Sequence, residues 1–149
     1  MANRVIHDYQ CYDYHSNILF KLVVESTALK NNYSTLWHLD YGIAKTLKLF
    51  IYLNPVSIHD GNTLIIDKNR TQKLRDIDEL PIEYEKRKED LTPVLKELGL
   101  DTSYLAYDYE AGDALLFSPL LLAHRRLPPK ENQKRYTIIL QLHTRWYSD

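Results

Sequence analysis

Apolar and polar positions alternate with a period of two over much of this chain, the spacing that strands use to separate two faces. The segments RVIHDYQCYDY (4–14), NILFKLVVESTAL (17–29), STLWHLD (34–40) and KTLKLFIYLNP (45–55) read as strands, the last closed by Asn54-Pro55, with a helix left as the alternative for 17–29 because short apolar runs are ambiguous. SIHDG (57–61) reads as a turn and NTLII (62–66) as a short strand. The character then changes: DKNRTQKLRDIDEL (67–80) is charged and reads as loop. PIEYEKRKEDLTPVLKELGL (81–100) is the most helical stretch, with Pro81 near its start, a break and a new start capped by Thr92 at Pro93, and Gly99 as a C-cap. Next come TSYLAYDY (102–109), the turn EAGD (110–113), the apolar ALLFSPLLLAH (114–124), a proline-rich loop, and a last strand RYTIILQLH (135–143). Strands, a helical insert over about 67–103, then strands again fit an all-β barrel or sandwich better than βαβ units. The whole, residues 1–149, reads as one domain.

Two strands constrain the interior further. In 46–53, Leu47, Leu49, Ile51 and Leu53 oppose Lys48, Phe50 and Tyr52. In the last strand, Arg135, Thr137, Ile139 and Gln141 oppose Tyr136, Ile138, Leu140 and Leu142. Each has one aliphatic and one mixed face, the pattern of strands covered on both sides. The mixed faces line an interior that carries chemistry. The aliphatic faces need a cover, either the helical insert or a second copy in a homodimer, to which the reading leans.

Composition narrows the function classes. Lys plus Arg is 19 and Asp plus Glu 20, without the basic excess of a nucleic-acid binder. A single cysteine, Cys11, excludes an internal disulfide and makes a reducing, cytoplasmic setting the expectation. No apolar run is long enough for a membrane span, and the first ten residues do not read as a signal peptide.

His38 and Asp40, two apart on a strand, point the same way. With 6 His and 12 Asp in 149 residues, chance alone supplies an HxD in about one such chain in two. The pair gains meaning from what joins it. His124 stands at the end of GDALLFSPLLLAH, and Arg135 opens the last strand eleven residues later. His38, Asp40, His124 and Arg135, in that order, resemble the iron- and 2-oxoglutarate-dependent oxygenases, the phytanoyl-CoA dioxygenase-like family above all. The blocks WHLD, LKLFIYLNPV, AGDALLFSPLLLAHRR and KRYTIILQLH carry the likeness, from about Trp37 to Trp146.

The resemblance implies a double-stranded β-helix (jelly roll, cupin-like). It implies Fe(II) bound by His38, Asp40 and His124, and 2-oxoglutarate anchored through its far carboxylate by Arg135. Phe50 falls where the family packs an aromatic near the cosubstrate. Two imidazoles and a carboxylate occupy one face of an octahedral Fe(II) and leave three positions for cosubstrate and oxygen. A guanidinium offers a carboxylate a two-pronged fork that lysine cannot match. Thr137, on the same face as Arg135, has a hydroxyl to add, and Lys48 is a further candidate contact. Asp40 itself favours oxygenation over halogenation, since related halogenating enzymes lack that carboxylate. The expected activity is hydroxylation of a small-molecule substrate with release of succinate and CO2. The cluster Arg125, Arg126, Lys130 and Lys134 reads first as a solvated loop; beside His124 it also offers an anionic substrate a partner. The remaining histidines read as structural. The alternative is a non-catalytic jelly-roll module with a vestigial site that works by binding a partner.

Overall fold

A computed structural model describes residues 17–26, 33–42 and 46–143 of the chain. The reading of 4–14 as a strand lies outside them. The protein is mainly β, as the alternation predicts. Strands β1 (Asn17–Ser26), β2 (Thr46–Tyr52), β4 (Ala114–Phe117) and β6 (Lys134–His143) form a four-stranded antiparallel sheet in the order β1-β6-β2-β4. Strands β3 (Thr63–Ile65) and β5 (His124–Arg126) form a second, small antiparallel sheet. Isolated antiparallel bridges add a lane on either side of it, Leu105 to Ile65 and His38 to His124.

The two sheets face each other across a cluster of Phe50 and Tyr52 from β2, Phe117 from β4, Ile65 from β3, and Val56 and Tyr109 from the connections. Alternation decides which residues enter it. Phe50 and Tyr52 are buried, and so are Arg135 and Thr137 on the neighbouring β6. The opposite, aliphatic face of the large sheet is only partly covered: Leu22, Leu53 and Tyr136 are exposed there.

The insert departs from the sequence reading. Residues 67–80, read as loop, contain helix α1 (Lys68–Asp76). Asp67 caps it by accepting a hydrogen bond from the Arg70 N–H at 3.0 Å. Arg70, Thr71 and Leu74 form its buried stripe. The charge that suggested a loop is its wet face, and Arg70 is a buried staple. Its guanidinium pairs with Asp67 and donates to the carbonyls of Asp101 and Ser103 at 2.7 and 2.6 Å, tying the insert's return to its start. Conversely, 81–100 is mostly irregular. It holds one 3-10 turn at Tyr84–Lys86 and the short helix α2 (Thr92–Glu97), with Pro93 in its first turn and Gly99 at φ 65° beyond its end. Thr92 is the first helical residue; the N-cap is Leu91.

Nor does the insert cover the aliphatic face of the large sheet. Leu74, Leu80, Leu91 and Leu95 pack instead against Trp37, Leu39, Leu64, Ile66 and Ala123 on the back of the small sheet. The small sheet thus divides two interiors. Residues 38, 40, 63, 65, 124 and 126 belong to the barrel side, and Trp37, Leu39, Leu64, Ile66 and Ala123 to the insert side.

Candidate metal centre

Two further sequence readings are corrected around the site. Residues 34–40 do not form a continuous strand: Tyr33–Thr35 is a 3-10 turn, and His38 makes only a bridge. ALLFSPLLLAH is not one strand either. Pro119, which has no N–H to give a ladder, sits in a turn after Phe117, and His124 opens β5 instead of ending β4.

The bridge is what builds the site. The His38 N–H donates to the His124 carbonyl at 3.1 Å and the His124 N–H to the His38 carbonyl at 3.0 Å. Opposed residues of an antiparallel pair project to the same face, and the two imidazole rings lie 4.3 Å apart. Asp40 follows two residues after His38 on that face, fixed by its N–H to the Pro119 carbonyl at 3.0 Å. His38, Asp40 and His124 bring one ligand atom each to within 4.8 Å of one another.

Hydrogen bonding sets the chemistry of those atoms. His38 Nδ1 lies 2.8 Å from the Leu36 carbonyl, and His124 Nδ1 lies 3.0 Å from the Leu122 carbonyl. A carbonyl only accepts, so each Nδ1 carries the hydrogen. Burial holds both imidazoles neutral. It lowers the pKa of His38, and it pushes His124 down to about 3, with the neighbouring His38 adding to the effect. A neutral imidazole protonated at Nδ1 has a bare Nε2. Both Nε2 atoms face Asp40 Oδ1, at 3.7 Å from His38 and 3.6 Å from His124, too far for hydrogen bonds. Burial pushes the Asp40 carboxyl up, but the net shift is downward, led by the charge of the Lys48 ammonium and the hydrogen bond it donates, so Asp40 is ionised. Three lone pairs therefore converge with no proton among them. Such a group could hold a cation, and two imidazoles with a carboxylate suit a first-row divalent metal.

The depressed imidazoles also set a pH dependence. An unfolded histidine takes up its proton near pH 6.5, whereas folded His124 resists until about 3. Between those values the unfolded chain binds more protons, so stability of the metal-free protein falls as pH drops through this window. Each such imidazole contributes up to about 1.4 kcal/mol per pH unit. Denaturant titrations at pH 7, 5.5 and 4 should show a shallower decline for His124→Gln than for the unaltered protein. Equal declines would contradict the assigned neutral state.

Arg135 is 2% exposed, on the barrel side of β6. It donates through Nη1 to the Gly61 carbonyl at 2.6 Å and to Thr63 Oγ1 at 3.3 Å, and its guanidinium carbon lies 5.8 Å from the Tyr52 ring centre. Gly61 takes φ 67°, a left-handed turn that glycine adopts freely, and so hands over its carbonyl. Thr63 is two residues from Ile65, which pairs with His124. Arg135 thus docks about 7 Å along the small sheet from the level of the histidines. Thr137 is fully buried beside it, and its hydroxyl has no hydrogen-bond partner among the described residues. An orphaned buried hydroxyl near a guanidinium is a fitting seat for a carboxylate.

Phe50 lies edge-on to Phe117 at 5.4 Å, and Phe117 edge-on to His124 at 5.0 Å, so Phe50 backs the site through a second ring. Lys48 ion-pairs with Asp40. Arg125 and Arg126 are buried, not solvated: Arg125 reaches Glu89 on the insert side, and Arg126 shares the His124 face. Lys130 lies near Asp60. Sequence reasoning missed Phe117, Tyr52, Thr63 and the Gly61 carbonyl. Tyr52 was within reach, being two residues past Phe50 on one face; Thr63 and Gly61 are set by sheet pairing that no local signal announces. A cleft of about 380 Å³ opens beside Asp40, walled by Tyr41, Arg75, Asp78, Leu80 and Leu120.

No protein-family model matches the chain, and no curated protein sequence matches it. Its fold is similar to the crystal structure of EvdMO1, at 17% identity and a TM-score of 0.53 over 88% of this chain. It is similar also to AviO1 from Streptomyces viridochromogenes Tue57, at 14% identity and a TM-score of 0.52 over 91%. A looser likeness, with a TM-score of 0.44 at 14% identity over 89% of this chain and 55% of the other, is to the Kdo hydroxylase KdoO, a non-heme Fe(II) α-ketoglutarate-dependent dioxygenase. The chain spans 28% of EvdMO1 and 55% of AviO1. The first two likenesses show a shared fold, and the chemistry rests on the residues described above.

Proposed function

We propose that this chain is an Fe(II)- and 2-oxoglutarate-dependent oxygenase of jelly-roll architecture that hydroxylates a small-molecule substrate. The observation that carries the reading is the convergence of two bare Nε2 atoms and one carboxylate oxygen at the small sheet, with the buried Arg135 reaching across from β6 to dock about 7 Å along that sheet and the unpartnered Thr137 hydroxyl two residues from it on the same strand face. The two facing antiparallel sheets, each of four lanes once the bridges are counted, support the jelly-roll form.

The residues divide the work. His38, Asp40 and His124 would hold the metal, their hydrogen bonds and ion pair fixing which atoms face it. Arg135 and Thr137 would hold the far carboxylate of 2-oxoglutarate, and Tyr52 and Thr63 keep the guanidinium oriented. Phe117, Phe50 and Ile65 keep the interior apolar and dry. The cleft beside Asp40 would receive the substrate. Fe(II) with 2-oxoglutarate supplies oxidative decarboxylation to succinate and CO2, coupled to oxygen insertion into a C–H bond.

Incubation with Fe(II), 2-oxoglutarate and oxygen tests this through succinate, since such sites turn over cosubstrate slowly even without substrate. We expect succinate above that of the Asp40→Ala protein. Succinate no different from that control, from a protein that retains iron, would sink the oxygenase reading and leave a metal-binding module.

A further inference from the structure

We propose that Lys48 is a positioning residue that confines Asp40 to a single metal-facing oxygen and so keeps a coordination position open. The inference rests on the metal reading above and adds a role for the second carboxylate oxygen. Asp40 is split between two partners: Oδ1 faces His38 Nε2 and His124 Nε2, while Oδ2 is taken by the Lys48 ammonium. A carboxylate can ligate a metal through one oxygen or both. Through both, Asp40 would consume one of the three positions that a two-histidine, one-carboxylate site leaves free. A cosubstrate that chelates through two atoms needs two of those positions, and oxygen the third.

Lys48 is built to hold. It sits mid-strand in β2, paired with Gln141 of β6 on one side and Phe117 of β4 on the other, so its backbone cannot drift. It points to the barrel side with Phe50 and Tyr52, and its side chain is 16% exposed. An ammonium this far out of water does not readily abandon its carboxylate. Lysine also suits the task better than arginine: a point charge engages one oxygen, whereas a guanidinium fork would reach for both.

The test uses Co(II), whose visible absorption reports coordination, and N-oxalylglycine, an isostere of 2-oxoglutarate that does not decarboxylate. Lys48→Met should still bind about one Co(II) per chain. Its spectrum should differ from that of the unaltered protein, and its affinity for N-oxalylglycine should fall by about ten-fold or more while Co(II) affinity holds. A merely structural lysine would lower the melting temperature without splitting those two affinities. An unchanged spectrum with N-oxalylglycine affinity within about two-fold overturns the proposal. A crystal structure of the unaltered protein with Co(II) decides the matter even if Lys48→Met does not fold: one Asp40 oxygen on the metal supports it, two overturn it. Failure of the unaltered protein to bind Co(II) would remove the metal centre itself, and this role with it.

Discussion

Anaerobic titration of the protein with Fe(II) should saturate at about one ion per chain, and alanine at His38, Asp40 or His124 should each weaken binding by more than about a hundred-fold. Changes to groups that merely orient a ligand typically cost 10–100-fold, and these three are the proposed ligands. His38→Ala and His124→Ala each remove one of two bare Nε2 atoms; Asp40→Ala removes the only described anion within ion-pair distance of both. His59→Ala is the control, because His59 is exposed and outside the cluster. Equilibrium dialysis reads all four. Unchanged metal content in any of the three ligand variants would remove that residue from the centre, and unchanged content in all three would remove the centre.

Much of the clustering at the candidate site was legible in the sequence, because part of its geometry is local. An HxD on extended backbone needs only alternation to share a face, and Arg135 and Thr137 need only one strand. What alternation could not give was the partner. His38 and His124 meet through a single reciprocal bridge across 86 positions of sequence, and the sequence offered only spacing and resemblance for it. The split of Asp40 was equally hidden: Lys48 lies eight residues away, in β2, and the sequence offered it only as a further candidate contact. The insert was misjudged for a different reason. Charge density marks wet surface, which a helix with one buried stripe also has. Arg70, Thr71 and Leu74 form that stripe, and with an arginine and a threonine in it the hydrophobic signal is faint.

Arg135→Ala should bind 2-oxoglutarate roughly thirty-fold to several thousand-fold more weakly while leaving the metal in place. Arg135 is a buried guanidinium two residues from Thr137 on the inward face of β6, and loss of one partner of a desolvated, hydrogen-bonded charge pair costs about 2–5 kcal/mol. Arg135→Lys should recover only part, because the fork also anchors to Gly61 and Thr63, and a single ammonium cannot serve those and a carboxylate together. Anaerobic titration followed by the metal-to-ligand charge-transfer band measures this directly. An alanine variant within about three-fold of the unaltered protein, under 1 kcal/mol, would make Arg135 a structural residue and move the search for the anchor to Arg126.

The small sheet that divides the two interiors also governs which changes of length the chain can absorb. Along 37–40, 63–66 and 123–126, neighbouring residues answer to opposite sides: Trp37 and Leu39 to the insert, His38 and Asp40 to the candidate centre. A one-residue insertion or deletion in any of these stretches reverses parity, sending apolar side chains toward the candidate centre and its polar residues into oil. Both interiors are lost by one event, and no point substitution restores either. Between Ile66 and Ala123 the constraint relaxes, since the connection has only to leave and rejoin the wall in phase. Variation among descendants of this sequence should therefore accumulate as gain and loss of residues around α1 and α2, while the three wall segments change by substitution alone.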